Sequence, residues 1–494
     1  MCKNSITLFS NKIILSKIIK FLTTFECRNL ILTCELFRDL SYAIDLRCSV
    51  IDSVDDIILN TNKRVKAINL SYTTVNNMSF LGGDKKQSVL FYHNINNLNL
   101  SNFNRLSCDF IKHFTNLQNV DLTFSNITNL KPLSYCLKLK ILNLSYTSVY
   151  NLNPLRNLQS LEILLLKSTI VTNIEPIYMC PNLRHVDLSN NENTDISLLG
   201  KCPNLRILDL ENTKIFKITG LNFLGKKSNL CYLNLSGTKI SDLSPLANLI
   251  SLRKLDITLT RISTLSHKIL IDGKIVEVFS TLISLKMLSL YYTKIRDISP
   301  LRNCPSLQHI HIGYTDITDL SIFDVKTTLR DTIITIDAAG TKIKSIFPLS
   351  NIKNIQELRL DRTLITDVTP LSNLLFLRDL HLKLTSVSDV SSLASCVSLR
   401  CLDLQHTNVI TLGSNLKLGS FKSLRNLILN SSKFTDVKSL TNCLKLQVLR
   451  VDDTEISDIS PLTHCIELQH ISCLNTRVKD FSSLKNIKLL SLIR

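Results

Sequence analysis

From about residue 65 onward, apolar and polar positions alternate in a frame that keeps returning. Leu139, Leu142 and Leu144 are followed by Thr147 and Val149, and 22 residues later the same places hold Leu161, Leu164, Leu166, Thr169 and Val171. Apolar residues spaced by two, with polar residues between them, predict a short strand that turns one face inward. The frame restarts at Leu183, Leu205, Leu230, Leu252, Leu285, Leu307, Ile333, Ile355, Leu377, Leu399, Leu424, Leu446 and Leu468, with weaker copies from Val65, Ile95 and Leu117, which makes 18 units. Extra residues precede Ile95, Leu230, Leu285, Ile333 and Leu424, so longer loops are predicted there. A strand, a turn and a return in each unit, repeated at near-constant spacing, predict a solenoid in which every turn packs on its neighbours.

Four further columns sharpen the frame. Thr follows the strand in 14 of the 18 units, where its hydroxyl can bond locally. Asp242, Asp297, Asp319, Asp367, Asp389, Asp436, Asp458 and Asp480 share one position and predict Asx-type turns closing the strands. Pro132, Pro154, Pro176, Pro245, Pro300, Pro348, Pro370 and Pro461 share another, fixing φ on the return side. Cys136, Cys180, Cys202, Cys304, Cys396, Cys443 and Cys465 fill a position where other units place Leu158, Leu249 or Leu374, which marks a core column rather than a metal or catalytic one.

The pattern L-x-x-L-x-L-x-x-T-x-I resembles the leucine-rich repeat in its short, 22-residue class. The resemblance implies an α/β repeat solenoid, curved, with parallel strands on its concave face. The family places Asn where this chain mostly has Thr, so the ladder of side chains between turns is expected in a weaker form. The boundaries read from the sequence are repeats over 65–486 and a C-terminal cap strand over 487–494.

Residues 8–48 do not follow the repeat. Their apolar spacing is helical, through Ile14, Leu15, Ile18, Ile19 and Leu22, then Leu30 and Cys34, then Phe37 and Leu40, and predicts three short helices joined to the array by a connector over 49–64. This stretch resembles an F-box: Leu15, Ile18 and Leu22 match its first helix, Leu30 lies in its second, and Cys34-x-x-Phe37-Arg38-x-Leu40 matches its close. Its opening differs, with Ser10-Asn11 and Ile13 at the Leu-Pro and acidic positions. The resemblance implies that Leu15, Ile18, Leu22, Leu30, Cys34 and Phe37 contact a Skp-type adaptor of a cullin ubiquitin ligase while the repeats hold a target protein. The alternative is that these helices only cap the array, leaving a repeat scaffold with no link to ubiquitin.

Composition narrows the function classes. The formal charge is +18, yet no run of five like charges occurs, and the residue between the two leucines of the strand is often acidic, as at Asp121, Asp187, Asp209, Asp256 and Asp403. No nucleic-acid partner is expected from that face. No uninterrupted apolar stretch reaches membrane-spanning length, and lysines break the apolar N-terminus where a secretory signal would need a block. Among 15 cysteines there is no C-x-x-C pair, so no metal site and no cofactor is expected, and reduced thiols point to a cytoplasmic or nuclear location. The segment Leu81-Gly82-Gly83-Asp84-Lys85 lacks phosphate-loop spacing, and no histidine has a nucleophile set beside it by local sequence, so catalysis is not expected. The candidate binding residues are Tyr291, Tyr292 and Tyr314 with His311, just after two adjacent strands, and the insertion between Ile262 and Leu285 is expected to lie over them. Tyr72, Phe124 and Tyr146 form a second, smaller set.

Overall fold

The computed structural model describes residues 43–45, 50–51, 67–69, 74–75, 92–103, 108–192, 195–271, 273–324, 327–413, 420–485 and 487–494. Most of the segment read as F-box-like, with Leu15, Ile18, Leu22, Leu30, Cys34 and Phe37, lies outside these residues. The chain divides into two compact units, Met1–Leu230 and Cys231–Arg494. Both are built from the same repeat.

In the N-terminal unit the strands Ala67–Asn69, Asn97–Asn99, Asn119–Asp121, Ile141–Asn143, Ile163–Leu165, His185–Asp187 and Ile207–Asp209 pair in parallel, each with the next in the chain. In the C-terminal unit the parallel ladder runs from Tyr232–Asn234 through Lys254–Asp256, Met287–Ser289, His309–His311 and Thr335–Asp337 to His470–Ser472. Every one of the 18 frames therefore carries a strand at its third to fifth residues. The ladder also extends past both ends of the sequence frame. Ala43–Asp45 pairs in parallel with Ala67–Asn69, inside the tail of the segment assigned to helices, and Ser491–Ile493 pairs with His470–Ser472. The early strand escapes the pattern because Ser41 stands where the frame needs its leading leucine, leaving only Ile44 and Leu46 to mark it.

The three apolar positions of each strand segment form the core. Leu139, Leu142 and Leu144, and their counterparts Leu285, Leu288 and Leu290, are fully buried. Each buried leucine contributes roughly 1.5–3 kcal/mol relative to exposure. The return side consists of short 3-10 helices such as Lys131–Tyr135, Asn153–Leu155 and Ser299–Asn303, and the eight aligned prolines all sit in their first turn. There the missing N–H costs nothing, because the first amides of a helix have no internal partner.

The Asp column behaves as Asx turns, one step further along than the sequence suggests. Asp242 Oδ1 accepts from the backbone N–H of Ser244 at 2.8 Å, and Asp297, Asp319, Asp367, Asp389, Asp436, Asp458 and Asp480 repeat the bond, so these side chains open the return helix. The strand itself is closed by the residue between the leucines: Asp121, Asp187, Asp209, Asp256 and Asp403 each accept from the amide two residues on. The acidic stripe thus has a local structural use, independent of any partner.

Cys136, Cys180, Cys304, Cys396 and Cys465 are buried and donate their thiols to a carbonyl 25 residues earlier, one turn back. Burial pushes these thiols up to about 11 or 12. They are held as thiols that pack and bond between turns, and no group of three or more His, Cys, Asp or Glu among the described residues is arranged to hold a metal ion. No described helix is long and apolar enough to cross a membrane.

Candidate functional site

One position beyond the strand-closing turn adopts a left-handed backbone in every repeat from Asn102 to Asn475. Such φ values suit Gly and Asn, and cost other residues roughly 1–2 kcal/mol. Several repeats comply, with Asn190, Asn212, Gly237 and Gly340. Others place a large apolar side chain there: Phe124, Tyr146, Leu259, Tyr292, Tyr314 and Leu384. All six are exposed. Backbone strain spent on holding apolar side chains toward solvent marks this column as the place to look for a binding surface.

In the C-terminal unit the four sequence-nominated residues come together. The rings of Tyr292 and Tyr314 stack with centroids 4.7 Å apart and planes 10° apart, and are 53% and 40% exposed. Tyr291 tilts against His311, with centroids at 5.9 Å, and lies 6.4 Å from Tyr292. Two glycines make room for them. A Cβ on Gly313 would stand 2.4 Å from the Tyr291 ring, and one on Gly340 would stand 2.6 Å from the Tyr314 ring. Gly340 also needs its own φ of +69°.

Tyr291 differs from its neighbours in its hydroxyl, which donates to Asp337 Oδ2 across two strands. Burial, followed by that bond and the Asp337 charge, raises the Tyr291 pKa far above the phenol range, so it stays a donor. Asp337 is nearly buried; it also accepts from the Ala339 amide at 3.1 Å and faces Arg359 Nε at 3.5 Å. Arg359 reaches on to Asp361 at 3.7 Å, and His381 Nδ1 lies 3.8 Å from Asp403 Oδ2. A polar line of alternating sign thus runs along the strand face behind the stacked rings.

The histidines on that line titrate in opposite senses. Burial lowers the pKa of His311, so it is neutral near pH 7. The Asp403 carboxylate beside it raises that of His381 against the opposing effect of burial. Burial drives Asp361 up, while the neighbouring His381 and the bonds from Gln405 hold Asp403 below the usual carboxylate range despite its burial.

The sequence located the rings and missed the network behind them. A usable signal lay in the strand-closing column: where most repeats keep Asp or Asn, the units around the rings have Ser289, His311, Arg359 and His381. These positions give up a local turn bond and gain a side chain that reaches the neighbouring strand. The insertion between Ile262 and Leu285 does not lie over the rings. It forms a hairpin of Lys268–Ile271 with Lys274–Glu277 and a helical turn Val278–Thr281, anchored on return-side segments by Asn303 to Glu277, by Cys304 to the Phe279 carbonyl, and by Asn248 to Thr281. The reason is its entry point, since by Ile262 the chain has already left the strand face. In the second set, Phe124 and Tyr146 stack at 4.3 Å, while Tyr72 lies outside the described residues.

Comparison with known proteins agrees with this architecture. The family profile described as leucine-rich repeats, two copies, matches residues 283–324, which include all four candidate residues. A search of curated proteins finds no match. The fold superposes on a leucine-rich-repeat protein of Leptospira interrogans with a TM-score of 0.69 at 21% identity, over 80% of this chain and 98% of that one. TLR13 in its complex with ssRNA13 gives 0.65 at 19% identity, over 86% of this chain and 63% of that one. The plant peptide hormone receptor RGFR1 in complex with RGF2 gives 0.58 at 15% identity, over 88% and 78%. At such identities the likeness carries the fold alone. The chain carries leucine-rich repeats, and its described units have the leucine-rich-repeat fold.

Proposed function

We propose that this protein acts by binding, and that it docks a partner protein on the strand face of its C-terminal unit without chemistry of its own. The observation that carries this reading is the Tyr292 and Tyr314 stack, two exposed rings held on left-handed backbone, with the Tyr314 ring seated over Gly340. Exposed aromatic anchors backed by an ordered polar network are what a protein interface uses as a hot spot. On the same strand ladder Glu357 and Asp379 occupy facing positions on neighbouring strands, and neither forms an ion pair among the described residues. Adjacent like charges are unfavourable in an isolated sheet, and they suit a partner that brings basic side chains.

The finer reading is that the docked protein is a target for ubiquitylation, delivered to a cullin ligase through a Skp-type adaptor in the cytoplasm or nucleus. Its support is the sequence resemblance of Leu15, Ile18, Leu22, Leu30, Cys34 and Phe37 to an F-box. Without that link the protein is a repeat scaffold. One set of baits separates the two: the intact chain, a Tyr292→Ser/Tyr314→Ser form and a Leu15→Asp/Ile18→Asp form, used for quantitative affinity capture from the native cell type and for co-purification with recombinant adaptor. The expected result is a partner reduced tenfold or more by the tyrosine changes and an adaptor complex lost with the N-terminal changes. Identical partner sets for the intact and tyrosine forms would remove the docking face, and an intact chain that binds no adaptor would leave the scaffold.

A further inference from the structure

A second surface of the C-terminal unit is built from the residues that lead into its strands. Arg378, Arg400 and Arg425 stand directly before Asp379–His381, Cys401–Asp403 and Asn426–Ile428. Their main chains continue the ladder: the Arg400 N–H donates to the Arg378 carbonyl at 2.7 Å, and the Arg425 N–H to the Arg400 carbonyl at 2.8 Å. Three guanidinium side chains therefore leave the backbone one strand spacing apart, roughly 4.8 Å. All three are exposed, and none forms an ion pair among the described residues. Side chains alternate along a strand, so Asp379 projects from the strand face while Arg378 stands on the flank where the return segment meets the strand.

Three residues before these arginines, on the same flank, stand Leu375, Val397 and Lys422, and the next two turns continue that column with Leu444 and Ile466. Together with Phe376, the four apolar members of the column are between 43% and 77% exposed. Lys422 and Lys445 bring the cations on these five turns to five, against Glu467 as the one acid of the three positions. Like charges set one strand spacing apart repel each other, and apolar side chains beside them gain nothing from contact with water. An anionic partner with an apolar layer under its charge relieves both.

We propose that this flank docks the C-terminal unit on an anionic lipid bilayer, with the arginines and lysines at the headgroups and the five apolar side chains entering the acyl boundary. Arg and Lys can lay their stems along apolar surface while their charged heads reach lipid phosphates. Attachment of this kind draws on buried apolar area and on attraction to anionic lipids together. A nucleic-acid backbone would satisfy the cations but leave the aliphatic side chains uncovered, with Phe376 alone able to stack on a base. An acidic protein would need a carboxylate set against each cation, because a charge buried without a partner is costly. Headgroups instead move to wherever the cations stand. The tyrosine stack lies past the other end of the strands, so the proposal stands without it.

The test is flotation of the full chain with vesicles of equal parts phosphatidylcholine and phosphatidylserine, against phosphatidylcholine alone. Binding is expected to the mixed vesicles only. It should weaken tenfold or more with Arg378→Glu/Arg400→Glu/Arg425→Glu. It should stay within twofold with Lys239→Glu/Lys294→Glu/Arg296→Glu, an equal change of charge at exposed positions past the strand ends. The chain has no tryptophan, so a Leu444→Trp form carries a single reporter in an otherwise intact protein, and its emission should shift to the blue when mixed vesicles are added. Equal binding to both vesicle types, equal loss from both charge reversals, or an emission that does not shift would each overturn the proposal. So would arginine-dependent binding to single-stranded RNA or to polyglutamate with none to vesicles, which would assign the row to that class of partner instead.

Discussion

Asn191 and Thr169 occupy the same column and show what one residue changes. Asn191 donates Nδ2 to the carbonyls of Leu166, Leu188 and Ser189, so it bonds its own turn and the one before it, whereas Thr169 Oγ1 bonds its own turn at Leu166 and borrows Asn191 for the link. Thr147, Thr213, Thr293 and Thr341 bond only the carbonyl three residues back. The side-chain ladder between turns is weaker here for that reason, as the frequency of Thr suggested. His381 yields a prediction at the same scale. Its folded pKa is raised above the unfolded value near 6.5 by Asp403, so its contribution to stability is complete below about pH 6.5 and disappears as pH rises through the folded value. His381→Gln should therefore lower the melting temperature more at pH 5.5 than at pH 9. An equal effect at both, read by calorimetry, would show that the Asp403 contact does not stabilise the imidazolium.

At the scale of the element, each repeat is a strand closed by one Asx residue, a left-handed residue, and a 3-10 return opened by a second Asx residue and a proline. The sequence made the strands legible because inward positions recur at a fixed spacing, and it made the return side legible because Pro, Asp and Cys each have a physical reason to repeat. It did not reveal Ala43–Asp45 as a strand, since alternation over three residues without a leading leucine is too short a signal. The cysteine column gives the prediction here. Leu158, Leu249 and Leu374 stand fully or almost fully buried where other units have cysteine, so Cys304→Leu should cost no more than about 1.5 kcal/mol, while Cys304→Asp should cost several times as much by burying a carboxylate without a cation. Chemical denaturation of both variants measures this. A leucine form as unstable as the aspartate form would mean that the thiol bond to Phe279, and not packing, governs the column.

For the whole molecule, a repeat that packs chiefly on its neighbours implies that units can be removed singly. Deleting residues 446–467, one complete frame, should leave a folded protein with a melting temperature lower by only a few degrees and with the Tyr292 and Tyr314 rings still stacked. Loss of cooperative unfolding in the shortened chain, followed by circular dichroism, would contradict that independence. The sequence by itself determined the repeat, the inward and outward faces of each strand, the Asx and proline positions of the return and the four-residue aromatic set, because all of these are fixed by spacing along the chain. Tertiary structure alone decided which outward residues meet across strands. Tyr291 and Asp337 are 46 residues apart and share a hydrogen bond, Arg359 lies between two carboxylates from different turns, and the long insertion packs on the return side instead of over the rings. Such contacts depend on which turns the winding brings side by side and on two glycines that let rings approach the backbone, and no local pattern in the chain records either.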